Sequence, residues 1–146
     1  MTPQTPIPLT SIRTAPATPE FQAIFSWKFS DETFYEKQIL RLLKHDIPQR
    51  MLYGFCSTWV YRDPDGNAVG FGTLDVCKEY ERFTDGKVHR YIPLLAVNPA
   101  FQKRGHGRSI VQHLIAESIL IAQDPANISG FLFLDVYEAN RAAIAL

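Results

Sequence analysis

The chain has 146 residues, 46% hydrophobic and 21% charged, the composition of one folded domain with a real core, which excludes a two-domain enzyme and a wholly disordered chain. Fifteen Lys and Arg balance fifteen Asp and Glu for zero net charge, so the basic excess of a nucleic-acid footprint is missing. Cys56 and Cys77 are too few for a disulfide framework, the N-terminus lacks the positive n-region of a secretory signal, and no run approaches about eighteen apolar residues. These features lead us to expect a cytoplasmic protein with reduced thiols and with neither nucleic-acid nor membrane partners.

In chain order, five of the ten prolines fall within the first nineteen residues. They remove amide donors, so residues 1–8 read as a flexible arm followed by at most a short edge strand, Leu9 to Arg13. Thr18-Pro19-Glu20 starts a helix, with a capping hydroxyl, a proline suited to the first helical position and an acid in the first turn. Phe21, Ile24, Phe25 and Lys28 continue it at helical spacing. A second helix from about Glu32 to Lys44 puts Tyr35, Ile39, Leu40, Leu42 and Leu43 on a stripe that can face a sheet, and Pro48 ends it. Trp27 and Phe29 read as core or pocket wall.

Ser57 to Arg62 and Ala68 to Cys77 are β-branched, aromatic or alternating, and Asp63-Pro64-Asp65-Gly66-Asn67 between them is a hairpin loop. A turn at Thr84-Asp85-Gly86-Lys87 leads into a third strand, Val88 to Val97, completing an antiparallel meander. Gly105 to Ala122 is a helix with Ile110, Val111, Leu114, Ile115, Ser118 and Ile119 on the face toward the sheet. Phe131 to Tyr137 is a further strand, and Ala139 to Leu146 begins a last helix.

The segment with chemical content is Leu95 to Ile110, a strand, a glycine-bearing loop and a helix. Glycines let backbone amides approach a ligand closely, and a helix N-terminus supplies unpaired donors with about half a positive charge, so the layout suits a phosphate. The dinucleotide fingerprint would need a third glycine where Ile110 stands, and the P-loop would need Gly-Lys-Ser/Thr, which the chain lacks.

Taken whole, Val97-x-Pro99-x-x-Gln102-x-x-Gly105-x-Gly107 before an apolar helix resembles the acetyl-CoA signature of the GNAT superfamily of N-acyltransferases. Leu134 to Leu146, with its Asn140-x-x-Ala143 step, is similar to that family's fifth strand and following helix. The resemblance implies an α+β fold: a mixed, mostly antiparallel sheet with helices on both faces, splayed between its fourth and fifth strands to admit the pantetheine arm. It implies backbone pairing of that arm by Leu95, Ala96 and Val97. It also implies a pyrophosphate cradle of amides from Gln102, Lys103, Arg104, Gly105, His106, Gly107 and Arg108, and a cofactor contact from Asn140. The charges of Lys103, Arg104 and Arg108 either reach CoA phosphates or form a solvated basic loop.

Acetyl transfer to an amine needs the nucleophile deprotonated, and at pH 7 an alkylamine is only about one part in 10³ neutral. By simple alternation His89, Tyr91, Pro93, Leu95 and Val97 share one strand face. Many family members carry Glu or His where this chain has Tyr91, and a tyrosine is a poor base near neutral pH. We therefore expect Tyr91 to position the acceptor and His89 to relay the proton. Asp75, Glu79, Glu81 and Asp85 either attract a cationic amine or form a solvated rim. His45, His106 and His113 lack zinc-ligand spacing, so no metal is expected.

The resulting expectation is a single-domain N-acetyltransferase, residues 1–146, that moves an acetyl group from acetyl-CoA to a small-molecule or peptide amine by direct attack. The alternative is a non-catalytic CoA-binding sensor or interaction module. In the family the last helix continues to a tyrosine that protonates the departing thiolate, and then to closing strands. The chain stops at Leu146, so it is expected to be a fragment or to borrow strands from a partner, and a homodimer is an option.

Overall fold

A computed structural model describes residues 7–29, 34–77, 88–121 and 128–133. The expected turn at Thr84 to Lys87, the strand beyond Phe133, the last helix and Asn140 lie outside the described residues.

The sheet grows from the hairpin that the sequence marks most strongly. Cys56–Arg62 (β2) and Ala68–Cys77 (β3) pair antiparallel, and Asp63 closes their loop by accepting from the amides of Asp65 at 3.0 Å and Asn67 at 2.9 Å. Thr10–Thr14 (β1) adds to the outer edge of β2, antiparallel. Val88–Tyr91 (β4) and Leu95–Val97 (β5) both pair antiparallel with β3, and Ile128–Phe133 (β6) pairs parallel with β4.

Helices cover both faces. Thr18 caps Pro19–Ala23 (α1) by accepting from the Phe21 amide, and the helix passes into a 3-10 turn, Ile24–Ser26, short of the Lys28 that the spacing suggested. Phe34–Lys44 (α2) is followed at once by Asp46–Leu52 (α3). Pro48 therefore sits in the first turn of a new helix, where its missing N–H costs nothing, and does not end the previous segment. Phe21, Ile24, Leu43 and Ile47 from this side bury against Val60, Phe71 and Ala96.

On the other face lies His106–Ile121 (α4), whose Ile110 and Leu114 pack with Trp59, Tyr61, Leu74 and Ile92. Arg90 on β4 donates through Nη1 to the Ser118 carbonyl at 2.5 Å, which ties the middle of the sheet to the helix. The stripe read from the sequence is narrower than expected: Ile110, Leu114 and Ser118 are buried, whereas Ile115 and Ile119 are exposed among the described residues. A helix lying on a sheet buries only the arc that the sheet can reach.

Glycines on β3 set how closely α4 approaches. A Cβ at Gly70 would lie 2.5 Å from Ile110 Cδ1 and 2.9 Å from the Ala96 carbonyl oxygen, and one at Gly72 would meet only Ile110 and Leu114 side chains, the nearest at 2.9 Å. Side-chain ends can move and a strand carbonyl cannot. Gly70→Ala is therefore expected to cost about 2–3 kcal/mol and Gly72→Ala about 1 kcal/mol, read by urea denaturation, and equal costs would contradict this packing.

The continuous strand expected over Val88 to Val97 is broken. Gly72 faces Leu95 and Asp75 faces Tyr91, so three steps along β3 are matched by four on the facing chain. The extra residue falls within Ile92 to Leu94 and makes a bulge, which Pro93 explains, because a proline has no N–H for a central ladder. The bulge also overturns the shared face inferred from alternation. Tyr91 stands opposite Asp75 on the side of α1–α3, while Leu95 and Val97 pack with the α4 cluster.

Candidate cofactor and acceptor site

Across the bulge the described strand pairing changes. β6 pairs with β4 up to Tyr91 and Phe133, and β5 pairs only with β3 among the described strands. Together β4 and β5 are the fourth strand of the sequence reading and β6 the described part of the fifth, and β6 pairs with the β4 half of it. Thr73 N–H donates to the Leu94 carbonyl at 2.9 Å and Asn98 N–H to the Val69 carbonyl at 2.8 Å. Ladder groups alternate, so Ala96 also turns its N–H and C=O toward β3, and Leu95 and Val97 turn theirs away from it. Of the three residues expected to pair with a ligand by backbone, Leu95 and Val97 keep their groups off β3 and Ala96 holds β5 on the sheet.

The loop after β5 is fixed by Asn98, whose Nδ2 donates to the Ala68 carbonyl at 3.0 Å and whose Oδ1 accepts from the Ala100 amide at 3.2 Å. A 3-10 turn, Pro99–Phe101, follows. The backbone then passes through two left-handed residues, Lys103 with φ 65° and Gly105 with φ 82°, before α4 begins. For a lysine that conformation costs about 1–2 kcal/mol. The Ser109 amide reaches the Gly105 carbonyl at 3.4 Å, the first turn of the helix, so the N–H groups of His106, Gly107 and Arg108 have no intrahelical partner.

Gln102, Lys103, Arg104 and Arg108 are exposed around this turn, and nothing lies within 4 Å of where a Gly105 Cβ would stand. Arg104 places its guanidinium 5.5 Å from the centre of the Phe101 ring. His106 is only 2% exposed, so it offers a ligand its backbone and not its ring. Burial, then Arg104, hold the imidazole pKa below its usual value against a small opposing pull from Asp63.

On the α3 side of the sheet, Asp75 is 2% exposed and bound by Arg50, with Nη2 donating to Oδ1 at 2.7 Å and Nε to Oδ2. Its charge is thus spent on a guanidinium, which removes it as a free lure for a cationic amine. Glu79, Glu81 and Asp85 lie outside the described residues. His89 stands opposite Cys77 in the register, two residues from Tyr91 on the same strand. His113 lies on the far face, 2.7 Å from the Tyr61 hydroxyl and 3.3 Å from Glu117, where it pins α4 to β2. Among the described residues no three His, Cys, Asp or Glu side chains converge as metal ligands, and no helix is long and apolar enough to cross a membrane.

Sequence reasoning missed Arg50, because a partner 25 residues away leaves no local signal. It also missed Thr73 and the bulge, for which Pro93 was the available sign.

No protein of curated function matches the chain by sequence. Its fold recurs in solved structures. A proposed acyl-CoA N-acyltransferase from Klebsiella pneumoniae shares 19% identity at a TM-score of 0.63, over 94% of this chain and 77% of the other. A ribosomal-protein-alanine N-acetyltransferase from Brucella melitensis shares 13% at 0.60, over 94% and 86%. AAC(6')-Iy, solved with the bisubstrate analogue CoA-S-monomethyl-acetylneamine, shares 12% at 0.59, over 94% and 85%. The sequence itself matches the Acetyltransferase (GNAT) family over residues 17–146. That match spans most of the 146 residues, and the chain therefore belongs to the GNAT acetyltransferases.

Proposed function

We propose that the protein transfers an acetyl group from acetyl-CoA to an amine, either a small molecule or a peptide, by direct attack. The carrying observation is the continuity of two backbone surfaces: the edge at Leu95 and Val97 that faces away from β3 runs into the left-handed turn at Lys103 and Gly105 and the bare N–H groups that start α4. Such a track fits an extended amide-bearing arm ending in a pyrophosphate. Residues Gln102 to Arg108 would hold the phosphates, and acetyl-CoA supplies the activated acyl group as a thioester. That AAC(6')-Iy holds a CoA-linked amine in the same fold supports the pairing of cofactor and acceptor.

In this reading Tyr91, half-buried on the acceptor face, positions the amine. His89 relays its proton, since an imidazole titrates near neutrality. Cys56 is a poor candidate for a covalent intermediate. Burial and the neighbouring Asp75 push its thiol pKa up to about 12, which leaves it protonated, in keeping with direct attack.

Calorimetry with acetyl-CoA followed by thiol release with a panel of amines tests the proposal. Binding together with thiol release is expected, and binding without release by any amine would favour the sensor alternative. His89→Ala is expected to lower turnover about 10²-fold or more with cofactor affinity nearly intact. Full activity in that variant would remove the relay, and Tyr91→Phe tests the phenol in the same assay.

A further inference from the structure

Thr73 lies at the joint between the two halves of the site and is wholly buried. Its Oγ1 accepts from the Leu94 amide at 3.0 Å and donates to the Leu94 carbonyl at 2.8 Å, and its own amide donates to that carbonyl at 2.9 Å. In a regular antiparallel pair the Leu94 amide would bond the Thr73 carbonyl. The extra residue at the bulge shifts that amide out of line, and Pro93 has no N–H to donate in its place. A side-chain oxygen thus stands in for a ladder bond where β3 passes from β5 to β4.

Much depends on that point. On one side of Leu94 the strand presents Tyr91 opposite Asp75; on the other, Leu95 and Val97 turn their backbone groups away from β3. If Leu94 slipped by one residue, every later group would exchange sides, because the strand period is two. We infer that Thr73 is a positioning residue for the acetyl transfer: its hydroxyl holds the bulge in register, so that the acceptor face at Tyr91 and the cofactor edge at Leu95 and Val97 meet in one geometry. The role of Thr73 in turnover rests on the acetyltransferase reading, but its role in holding the strand does not.

The test compares Thr73→Val, which keeps the shape and removes the hydroxyl, with Thr73→Ser, which keeps the hydroxyl. Amide hydrogen exchange is followed over Leu94 to Asn98 with β2 as the internal reference, alongside kcat and the KM for acetyl-CoA. In Thr73→Val, exchange over Leu94 to Asn98 is expected to speed up at least tenfold relative to β2. Its kcat is expected to fall about tenfold or more, beyond any change in KM, with Thr73→Ser restoring both. If Thr73→Val does not fold, Thr73→Ser against Thr73→Ala replaces it, since both lose the methyl and only Ala loses the hydroxyl. Unchanged exchange in the hydroxyl-free variant, or wild-type kcat in it, overturns the inference. Absence of thiol release in the wild type instead overturns the acetyltransferase reading, which the exchange measurement does not touch.

Discussion

Glutamate at position 105 or 107 is expected to abolish acetyl-CoA binding in calorimetry. Two physical effects add at Gly105. Its φ of 82° lies where any side chain strains the backbone, by about 1–2 kcal/mol, and a carboxylate there would compete with phosphate for the free N–H groups at the start of α4. The effects can be separated, because no atom lies within 4 Å of the Cβ site at Gly105. Gly105→Ala thus adds strain without a clash and is expected to weaken binding about tenfold, with the remaining loss in Gly105→Glu reporting the charge. Gly107 is in the first turn of α4 and half-buried, so at that position the bulk and charge of glutamate act without the left-handed penalty. Unchanged affinity in either glutamate variant would refute the loop as a phosphate cradle.

Which parts of this site could be read from the chain follows from the range of the interactions involved. The β2–β3 hairpin and the start of α4 were legible because their causes are local: Asp63 bonds amides two and four residues on, and Gly105 sits where the backbone must turn left-handed. The loop motif was legible for the same reason. The face of Tyr91 relative to Leu95 was not, since alternation holds only in an unbroken ladder, and Pro93 breaks it. The sheet-facing arc of α4 was overestimated, because apolar spacing alone does not say how wide a contact the sheet offers; Ile110 and Leu114 pack where β3 has glycines at 70 and 72. Asp75 looked like a free acid because its cation comes from α3, a helix that lies where the sequence reading placed only the end of the preceding one at Pro48.

That cation carries a stability effect as large as the one expected at Gly70. Arg50 bonds both oxygens of a carboxylate that is 2% exposed and places its guanidinium 5.2 Å from the centre of the Phe55 ring. The Phe55 amide in turn donates to the Arg50 carbonyl at 3.0 Å, and the Val76 amide donates to the Phe55 carbonyl at 2.9 Å, so one residue joins α3, the loop after it and β3. Removing one partner of a fully buried pair costs about 3–5 kcal/mol, chiefly because the other charge is stranded. The Arg50 side chain is 41% exposed, and water can reach part of the vacated space, so Arg50→Ala is expected to cost about 2–3 kcal/mol in urea denaturation at pH 7. The two ends of the pair are not equivalent. Asp75→Asn leaves a guanidinium that can turn to water and is expected to cost less, while adding Asp75→Asn to Arg50→Ala should recover part of the loss by removing the stranded charge. A cost below about 0.5 kcal/mol for Arg50→Ala, or a double variant no more stable than that single one, would mean that Asp75 finds another counter-charge when Arg50 is gone. The prediction has a functional edge as well. Asp75 faces Tyr91 across the ladder, so under the proposed acetyl transfer the same substitution is expected to raise the KM for the amine while affinity for acetyl-CoA, assigned in that proposal to β5 and the α4 loop, stays unchanged.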